Sequence, residues 1–474
     1  MSAQAYAGPS KDTQNPELPR LSRSIRPAAR APIRIVHLGL GAFHRSHQAW
    51  YTQHAGDSSE WGIASFTGRR PDAAEALSRQ EGLYTLVVRA DGGDHFEVIT
   101  SIVEAADGAD VGRLAELIAA RETAVVTLTV TEAGYGLGPD GRLDSAAPAI
   151  AEDLRLLAAG SAAGHAPATP LGRLVRALAA RRGSGAGPLA VVCCDNLAHN
   201  GTLARQAVLG MAEAFDAGLA AWIQANISFV STSVDRITPR TTGADLDAVA
   251  SACGYRDESP VVTEPFRDWV LSGAFPAGRP RWEDSGATFV DDIEPFENRK
   301  LWLLNGAHSL LAYAGQVRGH TTVAQALADP RCREAVEAFW DEAEAHLSGA
   351  DLRIVDYRAA LLARFGNARI AHNLAQIAVD GSTKLRLRAV PVLRAERAAG
   401  RTGAAAARMI AAWTDFVATS EEITDSLAES IRLSNTLEGR ERLETLLGLL
   451  DPDLPAEAGI VELVAGLQGS FVDQ

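Results

Sequence analysis

Through roughly its first 290 residues the chain alternates two hydrophobic patterns. Short, nearly continuous apolar runs rich in β-branched residues are IRIVHLGL (33–40), GIASFTG (62–68), AVVTLTVTEAGYG (124–136), LAVVCCDNL (189–197) and ISFVSTSVDRI (227–237). Between them lie stretches whose apolar positions recur every three or four residues, such as ADVGRLAELIAARE (109–122), TPLGRLVRALAARRG (169–183) and TLARQAVLGMAEAFDAGL (202–219). The first pattern is that of strands buried on both faces, the second that of amphipathic helices. Their alternation predicts an α/β fold with a mostly parallel, doubly wound sheet. Ligands of such sheets sit at the carboxyl ends of the strands. There the chain places Gly39 to His44, Glu132, Asp195–Asn196 and Asp235.

Beyond FVDDIEPFENRK the β-branched runs fade and helical periodicity dominates: KLWLLNGAHSLLAYAGQV, CREAVEAFWDEAEAHL, IVDYRAALLARF, RMIAAWTDFVATS and RLETLLGLL. The expected organisation is a polar, Pro-containing tail over 1–31, a Rossmann-type dinucleotide-binding domain over 32–290 and a mainly α-helical domain over 291–474. The Ala/Gly-rich pieces RRGSGAGP and AAGRTGAAAA read as loops or as compositional bias.

The first strand runs into Gly39-x-Gly41. Two glycines after a first strand let backbone approach a pyrophosphate, with a helix N-terminus behind it. The third glycine of the usual fingerprint is replaced by His44, so an ordinary strand–helix turn is a competing reading. Arg45 is a candidate phosphate contact. His44 and His47 lie on one helix face, but no further ligands at metal spacing accompany them, and they read as polar contacts. The second strand lacks the acid that would hold a ribose 2′-hydroxyl and carries Arg69 and Arg70 instead. Arginines there suit a 2′-phosphate and suit a solvated surface equally well.

Composition narrows the partners. The 474 residues are 47% hydrophobic, enough for a large core, and the net charge of −14 disfavours nucleic acid and anionic membrane. No apolar run reaches the ~20 residues that span a bilayer, and the N-terminus has no secretory apolar stretch. The four cysteines show no framework spacing, which fits a cytoplasmic protein with Cys193 and Cys194 as core thiols. A monomer or small homo-oligomer handling a small molecule is the expectation.

Only Lys11, Lys300 and Lys384 are lysines among 45 basic residues. An amine can shed its proton near neutral pH and a guanidinium cannot, so a retained lysine is a candidate base. Lys300 opens KLWLLNGAH. At about 100° per residue, Lys300, His308 and Asn305 fall at about 0°, 80° and 140° on a helix, one broad face. A neutral Lys300 would serve as general base and Asn305 as a donor to a developing alkoxide. The bland alternative is a solvated lysine at a helix start. Neither a zinc-ligand set nor a Tyr-xxx-Lys dyad is present.

GLGAFHRSHQA, TEAGY, CDNLAHNG, VDRITPRT, EPFRDWVL, GRPRWE and ENRKLWLLNGAHSLLAY resemble the polyol-specific long-chain dehydrogenases, the mannitol dehydrogenase family, over roughly residues 32–400. The resemblance implies a Rossmann domain plus a helical domain with the active site between them, metal-independent chemistry, and NAD in preference to NADP, which Arg69 and Arg70 leave open. It assigns Lys300, Asn305, His308 and Asn196 to catalysis, with Asn196 and His308 also touching substrate. Gly39, Gly41, Phe43, His44 and Arg45 match the family's glycine motif. Asp235 matches its VDR-x-TP aspartate, placed with the cofactor-side residues. Glu297 matches an acid that is a proton-relay candidate. Lys384 matches a substrate-contacting lysine.

Gln376 stands where mannitol dehydrogenases carry arginine, and QIA-DGS-KL is more similar to the fructuronate reductase branch. That ranks D-mannonate/D-fructuronate first as substrate, ahead of mannitol/fructose and of arabinitol. Arg386 or Arg388 beside Lys384 could pair with a carboxylate. Trp302 departs from the basic residue expected in both branches. A competing class is a non-catalytic Rossmann cofactor sensor, which would have no use for a base.

Overall fold

The computed structural model describes residues 18–160, 166–370 and 372–472, and the chain forms two compact units, Met1–Ile293 and Glu294–Gln474.

Strands of the first unit are β1 (Ile33–Leu38), β2 (Gly62–Phe66), β3 (Tyr84–Ala90), β4 (Gly93–Ile99), β5 (Ile102–Ala106), β6 (Val125–Leu128), β7 (Leu189–Cys193), β8 (Ile227–Asp235), β9 (Val261–Thr263), β10 (Asp268–Ser272) and β11 (Thr288–Phe289). The main sheet has the order β11-β10-β8-β7-β6-β1-β2-β5. Only the β8–β10 pairing is antiparallel; every other neighbour is parallel. The α/β, doubly wound expectation is therefore met. Chain order runs outward in both directions from β1, so the strand order reverses at the β1/β6 boundary, where such sheets bind ligands.

Alternate residues of the central strands face opposite layers, as a period of two requires. Val36, Leu38, Val126, Leu128, Val191 and Cys193 pack on the side of the helices Val111–Ala119, Pro170–Ser184 and Asn200–Phe215. Ile35, Val125, Ala190, Val192 and Cys194 pack against Trp50, Tyr51, Trp269 and Trp282. Both adjacent thiols are core groups, one on each face. Burial pushes both thiol pKa values up, so neither offers a thiolate.

Three features differ from the sequence reading. A second sheet, β4-β3-β9, lies outside the alternation pattern because its β3–β4 hairpin has one exposed face. The polar tail of 1–31 has an apolar anchor within residues 18–31, its first seventeen residues lying outside the described ones: Leu21 is fully buried with Val249 and Tyr255, and Leu21 N donates to Arg256 O at 2.8 Å. The alanines of AAGRTGAAAA are not loop. Gly403 at φ +69° is the N-cap of the helix Ala404–Thr419, whose first turn the last four of them form, and Ala398 ends the helix before it.

The second unit is all helical. Its centre is the helix Ala307–Val317, buried from Ala307 to Gly315 and packed by Val323–Ala328, Pro330–Glu344, Leu374–Ala378 and Ala404–Thr419.

Candidate functional site

At the end of β1 the chain makes a turn that only glycine allows. Gly39 has φ +112°, and a Cβ there would lie 2.1 Å from the Thr129 carbonyl oxygen. The amides of Gly39 and Leu40 both donate to Phe66 O at 2.9 Å, tying the turn to the end of β2. Gly41 is different: a Cβ there would meet nothing nearer than Gly39 O at 3.5 Å. Its missing side chain leaves open space over the turn, the cradle that close approach of a phosphate needs. Two short helices follow, Ala42–Ser46 and Gln48–His54, broken at His47.

His44 and Arg45 turn inward, which corrects the expectation of a direct phosphate contact by Arg45. Its Nη1 donates to Ser259 O at 2.5 Å and Ser259 Oγ at 2.7 Å, and its Nε to Gly41 O at 3.2 Å. His44 is fully buried, stacked on His37 at 3.4 Å between ring centroids, and its Nε2 lies 3.0 Å from Ser65 Oγ. These residues shape the turn from beneath. Phe43 is half-buried and stacks on His47 at 5.0 Å.

Beyond β2, Arg69 and Arg70 are both exposed, and Arg70 pairs with Asp72 at 3.2 Å. The loop carrying them is held by Arg173, which donates to Gly68 O at 2.9 Å, and by Thr67 Oγ1 donating to Asp107 Oδ1 at 3.3 Å.

The CDN segment follows β7. Asn196 is exposed, and its predecessor Asp195 fixes the loop that holds TEAGY. Asp195 accepts from Val130 N at 3.2 Å, Thr131 N at 2.8 Å and Tyr135 OH at 2.7 Å. Thr131 is thereby held at φ +68°, a strained conformation for a β-branched residue. Asn200 closes the other side, donating to Asp195 O at 2.9 Å and Thr232 O at 2.7 Å. Asp235 ends β8, and the next residue, Arg236, is buried, donating to Ser46 O and, at 3.2 Å, to Glu264 O. Burial lowers the Arg236 pKa to about 10. The motifs VDR and EPFRD are thus locked to each other and to the helix after the glycine turn. Asp195 and Asn200 in CDNLAHNG and Arg236 in VDRITPRT were visible only as motif residues without a role, because their partners are remote in sequence.

In the second unit, Lys300 and Asn305 are not on an α-helix. Lys300–Gly306 is a π-helix joining the α-helices Glu294–Arg299 and Ala307–Val317. Its i→i+5 register sets residue i+5 over residue i, so Asn305 follows Lys300 along one face instead of lying about 140° away. Lys300 is buried, Glu297 and Trp302 are half-buried.

His308 is buried, with its Nε2 lacking a hydrogen-bond partner. It packs on Phe365 and His372, each at 4.8 Å between centroids. Burial holds its pKa well below the ordinary histidine value, and His372, Arg364, Arg388 and Lys384 push it further the same way. It is a neutral imidazole in a cationic neighbourhood.

Lys384 and Arg388 lie one turn apart on Gly381–Arg388. The turn before this helix is fixed by Asp380 at φ +53°, by Ser382 donating to Asp425 and by Gly381, whose Cβ would fall 2.8 Å from both Trp413 Nε1 and Tyr313 Oη. Lys384 Nζ donates to Ile377 O at 2.9 Å, beside the exposed Gln376; burial, then Arg388, lowers its pKa. The expected carboxylate partners are otherwise engaged. Arg388 Nη1 donates to Asn305 O at 3.1 Å and Ser309 Oγ at 2.9 Å, and Arg386 donates to Leu450 O at 2.7 Å and Leu449 O at 3.0 Å. Among the described residues, no group of three His, Cys, Asp or Glu is placed to hold a metal ion, and no helix is long and apolar enough to cross a membrane.

Family models match nearly the whole chain. The mannitol dehydrogenase Rossmann domain matches residues 33–284, and the mannitol dehydrogenase C-terminal domain matches 292–467. The chain belongs to the mannitol dehydrogenase family. It is a dehydrogenase/reductase acting on CH–OH groups. Among its relatives, the D-mannonate oxidoreductase of Escherichia coli (strain K12) is 37% identical over 460 residues, 92% of each chain. The mannitol 2-dehydrogenase of Cereibacter sphaeroides is 36% identical, covering 81% of this chain and 80% of its own length. The mannitol 2-dehydrogenase of Pseudomonas fluorescens, solved as a ternary complex with NAD and D-mannitol, is 32% identical with a TM-score of 0.74, over 96% of this chain and 94% of that one.

Proposed function

We propose that this member of the family interconverts the secondary alcohol and the ketone at C2 of a linear sugar acid, D-mannonate and D-fructuronate first, with NAD as cofactor. The cradle over Gly41, at the point where the strand order reverses, fits a dinucleotide pyrophosphate. Arg69, exposed at the end of β2, leaves room for a 2′-phosphate as well. A bound nicotinamide supplies the hydride acceptor in one direction and the donor in the other.

The protein's own groups carry the rest. Lys300, in its neutral form, takes the proton of the C2 hydroxyl. The amides of Asn305 and Asn196 donate to that oxygen as negative charge builds on it, and amides do not titrate away. Glu297, on the turn before Lys300, serves as the relay that passes the proton on. His308 offers its unpartnered Nε2 to a neighbouring hydroxyl. Asp235, at the end of β8, orients polar groups of the site and transfers no proton.

The observation that carries the choice of a sugar acid is the basic character of the side chains that act most strongly on His308, Arg364, Arg388 and Lys384, with His372 packed beside it. A substrate carboxylate adds to the counter-charge that Asp380 and Asp425 give Lys384, where a neutral polyol adds none. Mannitol/fructose is the second reading, favoured by the engagement of Arg386 and Arg388 with backbone carbonyls. Side-by-side kinetics of NADH oxidation on fructuronate and fructose test the ranking. A kcat/KM at least about tenfold higher on fructuronate, equivalent to about 1.4 kcal/mol, is expected. A preference for fructose overturns it, and no turnover with any ketose or keturonate would point to a cofactor sensor.

A further inference from the structure

We propose that Trp340 is a positioning residue for the reaction: by holding the Leu303 carbonyl, its indole N–H keeps Lys300–Gly306 in the π-turn that sets Asn305 over Lys300. The inference rests on the assignment of Lys300 and Asn305 as base and oxyanion donor.

An α-helix pairs each carbonyl with the amide four residues on, so Leu303 O would accept from Ala307 N. Here Ala307 N donates to Leu304 O instead. Leu303 O therefore does not receive its α-helical donor, Ala307 N, and a buried carbonyl requires a donor. Trp340 provides it: Nε1 donates to Leu303 O at 2.7 Å, from a side chain that is fully buried. Two further contacts point to a built arrangement. Arg388 takes the Asn305 carbonyl at 3.1 Å, two residues on. Gly306 allows the Trp340-bearing helix Pro330–Glu344 to come close, since a Cβ at Gly306 would lie 2.5 Å from the Phe339 ring. A single wide turn inside an α-helix has an alternative at hand, the ordinary α register, which would pair Leu303 O with Ala307 N. That slip turns the segment by about one residue, about 100°, and carries Lys300 away from Asn305. The donor on Leu303 O opposes the slip.

Trp340→Phe keeps an aromatic ring and removes only the N–H. Phe339→Leu thins packing against the same segment and leaves the hydrogen bond in place. Amide hydrogen exchange over 300–309 reads the clamp directly, and kcat, KM and the pH profile of oxidation read its consequence. For Trp340→Phe the expected result is faster exchange, a kcat lowered about 10–100-fold with KM within about threefold, and a displaced or lost ionisation in the profile. Phe339→Leu, at a comparable drop in Tm, is expected to keep the wild-type profile. Unchanged exchange in Trp340→Phe, or the same altered profile in Phe339→Leu, overturns the proposal. Lys300→Ala, run in parallel, separates the two assignments. If it retains the ionisation, the base assignment fails, and with it the positioning role given to Trp340; if it loses the ionisation while Trp340→Phe behaves as wild type, only the clamp fails.

Discussion

A lysine must shed its own proton before it can take one from a substrate hydroxyl, and this requirement makes Lys300 testable. Oxidation should rise with pH through one ionisation. Lys300→Ala should lower kcat about 10²–10⁴-fold and remove that ionisation, while cofactor affinity, measured by fluorescence titration with NADH, stays near wild type. Lys300→Arg should fail as badly, because a guanidinium keeps its proton at any working pH. An arginine variant with near-normal turnover would show that this position supplies charge alone. His308 differs in kind. Its pKa is held well below the ordinary value, first by burial and then by four basic neighbours. It should therefore add no ionisation of its own between pH 6 and pH 8, and His308→Asn should lower kcat/KM while leaving the shape of the profile intact. A new or lost limb in that variant would mean that His308 titrates during turnover.

Among the structural elements, the decisive feature is the π-turn, and Gly306 is its most exposed dependence. A methyl group there meets the Phe339 ring at 2.5 Å, and that ring is itself fully buried. Gly306→Ala should destabilise the protein by about 1–3 kcal/mol through overpacking. It should also lower kcat more than it raises KM, because the helix pushed away is the one that carries Trp340. Thermal denaturation and steady-state kinetics on the same preparation check both parts. A stable variant with wild-type kcat would show that the two helices can part without consequence for the site. The α-helical wheel drawn from the sequence put Lys300, Asn305 and His308 on one side, in an α register where the chain makes a π-turn. Nothing in KLWLLNGAH marks a π-turn, since its cause lies outside the segment.

The molecule as a whole carries several buried neutral histidines, which makes its stability sensitive to acid. Burial lowers the pKa of His37 to about 3 and holds those of His44 and His308 well below the ordinary value. The unfolded chain binds protons at these residues as pH falls below about 6.5, and the folded chain does not. Each such histidine therefore removes about 1.4 kcal/mol of stability per pH unit below about 6.5. For His37 the loss continues down to its folded pKa of about 3. His54, raised by Glu97, acts in the opposite sense and offsets part of the loss. The urea midpoint should fall between pH 7.5 and pH 5.5, a window above the ordinary carboxylate range; a midpoint that holds or rises would contradict the neutral-core reading.

What the sequence determined by itself is local or periodic. Nearly continuous apolar runs and helices of period three to four defined an α/β unit followed by a helical one. The glycine turn after β1, the retained lysine, and the spacing of Lys300, Asn305 and His308 were legible because each is a pattern within a few residues. The tertiary structure alone decided where the arginines go. Arg45, Arg236, Arg386 and Arg388 look alike as solvated or ligand-seeking cations, yet each closes on a backbone carbonyl. It also decided the register that brings Lys300 and Asn305 together, through a hydrogen bond between residues 37 apart in the chain. The physical reason is the same in both cases. A buried carbonyl must find a donor, and which donor reaches it is settled only when distant helices have packed.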